Sequence, residues 1–179
     1  MACNLFAGFS IDCRESVGGV QTVYIIENSA LYDASGNSRI SESSGTVTAM
    51  TKATGKKFYK FEVPRGTASS ENGITSSIEN GTFFYTHKVT FPINDRSATT
   101  RNIVNVLAKN RLTVITVEGD GTARCFGRLF GLTMENSTGA SGVALADRNG
   151  YNLTFSSQER EDFLVVPANI VATLETPGT

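Results

Sequence analysis

The cleanest hydrophobic–polar alternation in the chain runs from Thr82 to Phe91. Phe83, Tyr85, His87, Val89 and Phe91 fall on one side, and Thr82, Phe84, Thr86, Lys88 and Thr90 on the other. Side chains alternate faces along a strand, so the pattern predicts one mostly apolar face and one hydroxylated or charged face. Ten residues at ~3.3 Å each give a strand of about 33 Å, longer than usual. A long two-faced strand is a wall element. It points to a protein that works by shape and edges rather than by a reactive group.

Other segments repeat the period. Val20–Glu27 is apolar on both faces, with Val20, Thr22, Tyr24 and Ile26 opposite Gln21, Val23 and Ile25, which predicts an internal strand. Arg39–Ala49 reads as a Ser/Thr-rich strand, and Phe58–Val63 as a strand that Pro64 ends or confines to an edge. Leu112–Glu118 and Thr122–Phe130 flank Gly119-Asp120-Gly121, where Asp-Gly suits a type I′ hairpin. Gly127 and Gly131 mark bulges or close backbone approaches. Leu132–Glu135 and Tyr151–Ser157 are further strands, and a last edge strand is expected within Phe163–Glu175. Gly8–Ile11 reads as a brief extended piece.

The period changes once. Ile103 and Leu107, and Val104 and Ala108, lie four apart, which predicts a helix over 97–109 capped by Asp95 or Ser97. Thirteen residues are marginal alone, so this helix must pack on a sheet through Ile103, Val104 and Leu107. Gly66–Gly81 carries only Ile74 and Ile78 as sizeable apolar residues and reads as a polar loop or arm. Asn136–Gly142 reads as a loop, Asp147–Gly150 as a turn, and Gln158–Asp162 as a charged exposed stretch.

Composition agrees with a mainly β, globular chain forming a single domain over residues 1–179. It holds 21 Thr and 17 Ser, residues that favour strands and turns, and 18% charged residues. A net charge of −1 offers no global case for binding nucleic acid or an anionic membrane surface. The opening residues lack the basic character of a secretory signal, and no apolar run is long enough for a membrane-spanning helix. Cys3, Cys13 and Cys125 form no C-x-x-C pair and read as reduced thiols.

The chemistry that is missing narrows the function. No serine-hydrolase elbow, phosphate loop or metal-binding spacing occurs, so no enzyme activity, cofactor or metal is expected. His87 could pair with a Ser and an Asp, but mid-strand on an apolar face it reads as a half-buried structural residue. Lys52, Lys56 and Lys57 belong to a basic cluster around Gly55 that suggests an exposed turn, or a patch meeting acidic residues on a neighbouring copy. With Ile74 and Ile78 of the polar arm, they are the candidate intersubunit contacts.

Three stretches, in order, carry a family resemblance. They are Gly8–Ile25 with its Gly18-Gly19 pair, the helix followed by Asn110–Gly121, and Ala146–Phe155 around Asn149-Gly150. This layout resembles tail tube proteins of bacteriophages infecting Bacteroidetes-type hosts. The resemblance implies a β-sandwich-like subunit, or strongly curved antiparallel sheets, with one short flanking helix. Such subunits form rings, commonly of six, that stack into a virion tail channel through which DNA passes unread. Partners would be other copies and other tail or connector proteins. Gly66–Gly81 matches no family element, which leaves a head–tail connector ring of a short-tailed phage as an alternative. A carbohydrate-binding or decoration β-sandwich is a third reading, disfavoured by the absence of Trp.

Overall fold

Residues 18–178 are described by a computed structural model; Cys3, Cys13 and the piece expected at Gly8–Ile11 lie outside them. The chain is mainly β, with two sheets facing each other. β1 (Val20–Glu27), β2 (Ile40–Ser43), β3 (Thr46–Met50) and β4 (Tyr59–Glu62) belong to a seven-stranded sheet. β5 (Ser69–Ser77) and β6 (Thr82–Ile93) form a hairpin in a four-stranded sheet. Helix α1 (Ala98–Lys109) leads back to β7 (Leu112–Glu118) and β8 (Ala123–Phe126) of the larger sheet. β9 (Thr133–Ala140) and β10 (Gly150–Glu159) complete the smaller one, and β11 (Leu164–Val166) returns before the single-turn helix α2 (Ala168–Val171). The orders are β2-β3-β11-β8-β7-β1-β4 and β5-β6-β10-β9.

The main core lies between the sheets. Val23, Ile25, Val114 and Phe126 face Val89, Phe91, Leu153 and Phe155, and the rings of Phe91 and Phe155 stack at 5.8 Å. A second core sits on the far side of the larger sheet, where Ile26, Ile115, Cys125 and Val166 meet Ile170 and Leu174. Burial on both faces is why β1 and β7 carry apolar residues on each side. The alternation of β1 needs one correction: a register shift between Val20 and Thr22 moves Val20 onto the Val23–Ile25 face. Burial pushes the Cys125 thiol up to about 12, so it packs as an inert apolar residue.

Several expected elements take a different form. Arg39–Ala49 is a two-strand hairpin, because Ser44 and Gly45 both adopt positive φ and close a two-residue turn. The Gly119–Gly121 turn is a three-residue loop with positive φ at Gly121 alone, not a type I′ turn. The Thr122–Phe130 strand stops at Phe126, where Gly127 takes positive φ. A side chain at Gly127 would meet Leu132 within 2.8 Å, which is the close approach its glycine predicted. Gly66–Gly81 is not a loop: β5 pairs with β6 along nine residues. Asn136–Gly142 is likewise mostly strand, since β9 continues to Ala140. β11 is not an edge strand, because it is held between β3 and β8.

Helix α1 begins at Ser97, whose Oγ accepts from Thr100 N at 3.2 Å. Asp95 supports this cap by accepting from Ser97 N at 3.1 Å and Ser97 Oγ at 2.6 Å. The buried stripe is Thr100, Val104 and Leu107. Ile103, expected inside, lies on the exposed flank with Val106. Leu107→Ala should therefore cost about 2–5 kcal/mol, whereas Val106→Ala should stay within about 0.5 kcal/mol. Urea unfolding of the two variants measures the difference; equal costs would place the helix on the wrong face.

Candidate functional site: an open sheet, an overhanging hairpin and an apolar groove

The outward face of the four-stranded sheet is built from the even positions of β6 and their cross-strand partners. Thr86, Lys88 and Thr90 stand beside Gln158, Ser156 and Thr154, and beyond these lie Thr133 and Asn136 of β9. Thr90 and Thr154 share a hydrogen bond at 3.2 Å. Lys88 stands 4.0 Å from Glu135 and directly opposite Glu71. The result is a hydroxyl and amide surface with few charges, each cation facing a carboxylate.

Among the described residues neither border of this sheet carries a further strand, and α1 packs beside β9. β5 pairs only with β6 and β9 only with β10 among the described residues, and both are exposed over most of their length. The strands also step in one direction across the sheet. β5 faces residues 82–90 of β6, β10 faces 85–93, and β9 faces the Gly150–Ser156 end of β10. A uniform stagger of this kind is what a sheet needs in order to curl and close.

The β5–β6 hairpin extends beyond the sandwich. His87, Val89 and Phe91 on its inner face are buried, but Tyr85 is half-buried and Phe83 is 61% exposed. Across the ladder, Ile74 stands opposite Tyr85 and is 65% exposed. Ile78 in the turn is 97% exposed. The inner face thus carries its apolar pattern past the point where the second sheet covers it.

A groove of about 630 Å³ opens between α1 and the β1–β4 border. Ile103 and Val106 of α1 and Tyr59 and Phe61 of β4 line it, with Ile25 and Leu112 at its floor. Here β4 forms the border of the larger sheet, as Pro64 predicted.

The candidate contact residues divide between these places. Ile74 and Ile78 lie on the overhanging hairpin. Lys56 is exposed near the groove, with Nζ 2.7 Å from Glu27, and Lys57 stands 5.7 Å from the centre of the Tyr59 ring. Lys52 is not part of an exposed turn: it is 7% exposed, and its Nζ donates to Thr173 O at 2.7 Å and Leu174 O at 3.4 Å. Sequence reasoning missed the groove, because Ile103 reads as a core position of its helix, Tyr59 as one member of an alternating strand, and Val106 stands outside the stripe read for the helix.

Polar chemistry is concentrated inside the fold instead. Glu159, expected on the surface, is buried and accepts from Leu129 N and Phe130 N at 3.1 Å each. Burial holds its pKa above the ordinary carboxylate value, with those amides opposing the shift in part. His87 is also buried. Its Nδ1 accepts from Gly127 N at 3.4 Å, which leaves the proton on Nε2, 3.6 Å from Asp162 Oδ1. Ser157 stands opposite His87 in the ladder, so a Ser, a His and an Asp do gather here. They do not form a nucleophilic triad: a backbone amide occupies Nδ1, and Ser157 Oγ is sealed from solvent. Among the described residues no cluster of His, Cys, Asp or Glu is placed to hold a metal ion.

Compared with protein-family models, curated proteins and solved structures, the chain matches none.

Two outcomes test the internal network. Removing the carboxylate in Glu159→Ala strands two partly buried amides and should cost about 1–3 kcal/mol in all; a change in denaturant midpoint equivalent to less than about 0.5 kcal/mol would contradict that role. Burial holds His87 below its ordinary value of 6.5, with Asp162 opposing the shift. Between the folded value and 6.5 the unfolded chain binds more protons, so stability falls as pH drops through that window. His87→Gln should flatten this acid dependence in urea titrations below pH 6.5, and an unchanged slope would refute it.

Proposed function

We propose that this protein is a non-enzymatic structural subunit whose copies join side by side into closed rings around a channel. The observation that carries this reading is the pair of open, length-matched borders on one staggered sheet. β5 has nine residues and β9 eight. Exposed strand edges seek partners unless blocked, and neither strand contains Pro or Lys as a guard.

The strand directions favour rotation as the joining operation. All neighbours in the small sheet are antiparallel, so its two border strands run in opposite directions. A copy related by rotation about an axis along the strands sets its β5 beside β9 of the first, antiparallel. Such a contact is heterologous, and repeated rotation closes it. The continuous sheet has no edge left, and its outward Thr, Ser, Asn and Gln face becomes the channel wall.

That wall suits passage rather than capture. Affinity for a phosphate backbone grows with the number of cations that neutralise it, and the sheet offers Lys88 beside Glu71 and Glu135. This fits the tail-tube resemblance of the sequence: a virion component that lets DNA slide through without reading bases. Rings of six come from that resemblance alone.

Light scattering and negative-stain electron microscopy of the purified chain test the proposal. Annular particles are expected; the mass of one chain at every salt and crowding condition would overturn it. Ser137→Pro and Thr138→Pro sharpen the test, since β9 amides alternate between the ladder and the open border. One variant should fold normally yet lose rings, and the other should lose stability. Rings formed equally by both would remove β9 from the joint.

A further inference from the structure

We infer that the overhanging β5–β6 hairpin of one copy docks in the α1–β4 groove of another copy, end to end. This rests on the ring reading and adds the second contact by which rings stack. The two surfaces belong to opposite ends of the molecule. Strand β6 starts at the hairpin turn and runs twelve residues, about 40 Å; α1 starts five residues beyond its far end. The hairpin therefore reaches a groove only on a neighbouring copy, and the contact is heterologous.

Shape and charge both select this occupant. The hairpin offers Ile74, Ile78 and Phe83 as exposed apolar groups. The groove offers Tyr59, Ile103 and Val106, also exposed, and its volume accepts side chains of that size. The only charged residues from Gly66 to Tyr85 are Glu71 and Glu79, and Glu79 adjoins Ile78. The groove rim is basic by contrast. Lys60 pairs with Glu62 and Lys56 with Glu27, which leaves Lys57 over Tyr59 with no carboxylate at ion-pair distance among the described residues. Lys109 adds charge in the last turn of α1, where its neighbours Val106 and Asn110 line the groove. Glu79 would meet this rim as Ile78 enters.

Two variants of the full chain test the contact when one carries a mass tag: each has Cys3→Ser and Cys13→Ser, and one adds Ile78→Cys, the other Val106→Cys. Both positions are exposed, so neither replacement disturbs the core. Under mild oxidation the mixture should give a cross-linked pair of unequal mass, well above either variant alone or the unaltered chain. Ile78→Glu should raise the concentration at which stacked rings appear by about tenfold, while single rings persist. Rings without that cross-link, stacking as readily in Ile78→Glu, would overturn the docking and leave the ring proposal standing. A chain that never leaves the mass of one copy would overturn both.

Discussion

The fold depends on how one short segment is held. Residues 127–131 carry the chain from the larger sheet to the smaller one, away from any ladder. Buried peptide groups without partners are costly, so each must be met by something else. Asn28 Nδ2 donates to the carbonyls of Gly127 at 3.1 Å and Arg128 at 3.0 Å, and Tyr32 OH donates to Arg128 O at 2.8 Å. His87 and Glu159 accept the amides of Gly127, Leu129 and Phe130. These side chains come from the smaller sheet and from the turn after β1 of the larger one. The crossing therefore ties the two layers together at a fixed offset, and everything on the small sheet's outward face inherits its position from that tie.

The same constraint explains why titratable groups here do structural work. A carboxylate that accepts two backbone amides, and an imidazole fixed by a third, have little capacity left for a substrate. His87 packs edge-on to Phe126 with ring centres 5.4 Å apart, and Ser157 Oγ and Thr116 Oγ1 are likewise sealed from solvent. Chemistry-bearing residues sit inside, while the surface facing outward is hydroxylated and nearly neutral. That division is the physical basis for reading the molecule as a wall component.

The surface is also asymmetric along one axis. Apolar groups project at the hairpin end and an apolar groove opens at the helix end, with the open sheet borders between. A monomer gains nothing from leaving such features unpartnered, since burying apolar area is worth about 25 cal/mol per Å². The side-by-side pairing and the end-to-end docking proposed above draw on different residues: the backbone edges of β5 and β9 for one, the hairpin tip and the groove for the other.

How much of this was written in the chain can be judged residue by residue. Strands with one wet face, such as Thr82–Ile93 and Gly150–Glu159, declare themselves by alternation, because a period of two is a local property. Strands β1 and β7 follow from apolar runs bounded by turns, and α1 from its period and its Ser97 cap. Gly66–Gly81 failed as a loop prediction because a border strand with two wet faces has no alternation to display; its pairing with β6 supplies the order. Glu159 and Lys52 look like surface charges, since nothing near them in sequence reveals the amides and carbonyls that hold them inside. By itself the sequence determined the elements with local periodicity and the mainly β class. Only the tertiary structure decided which edges stay open, where Ile103 and Tyr59 meet, and which charges are buried, because those depend on contacts between residues far apart along the chain.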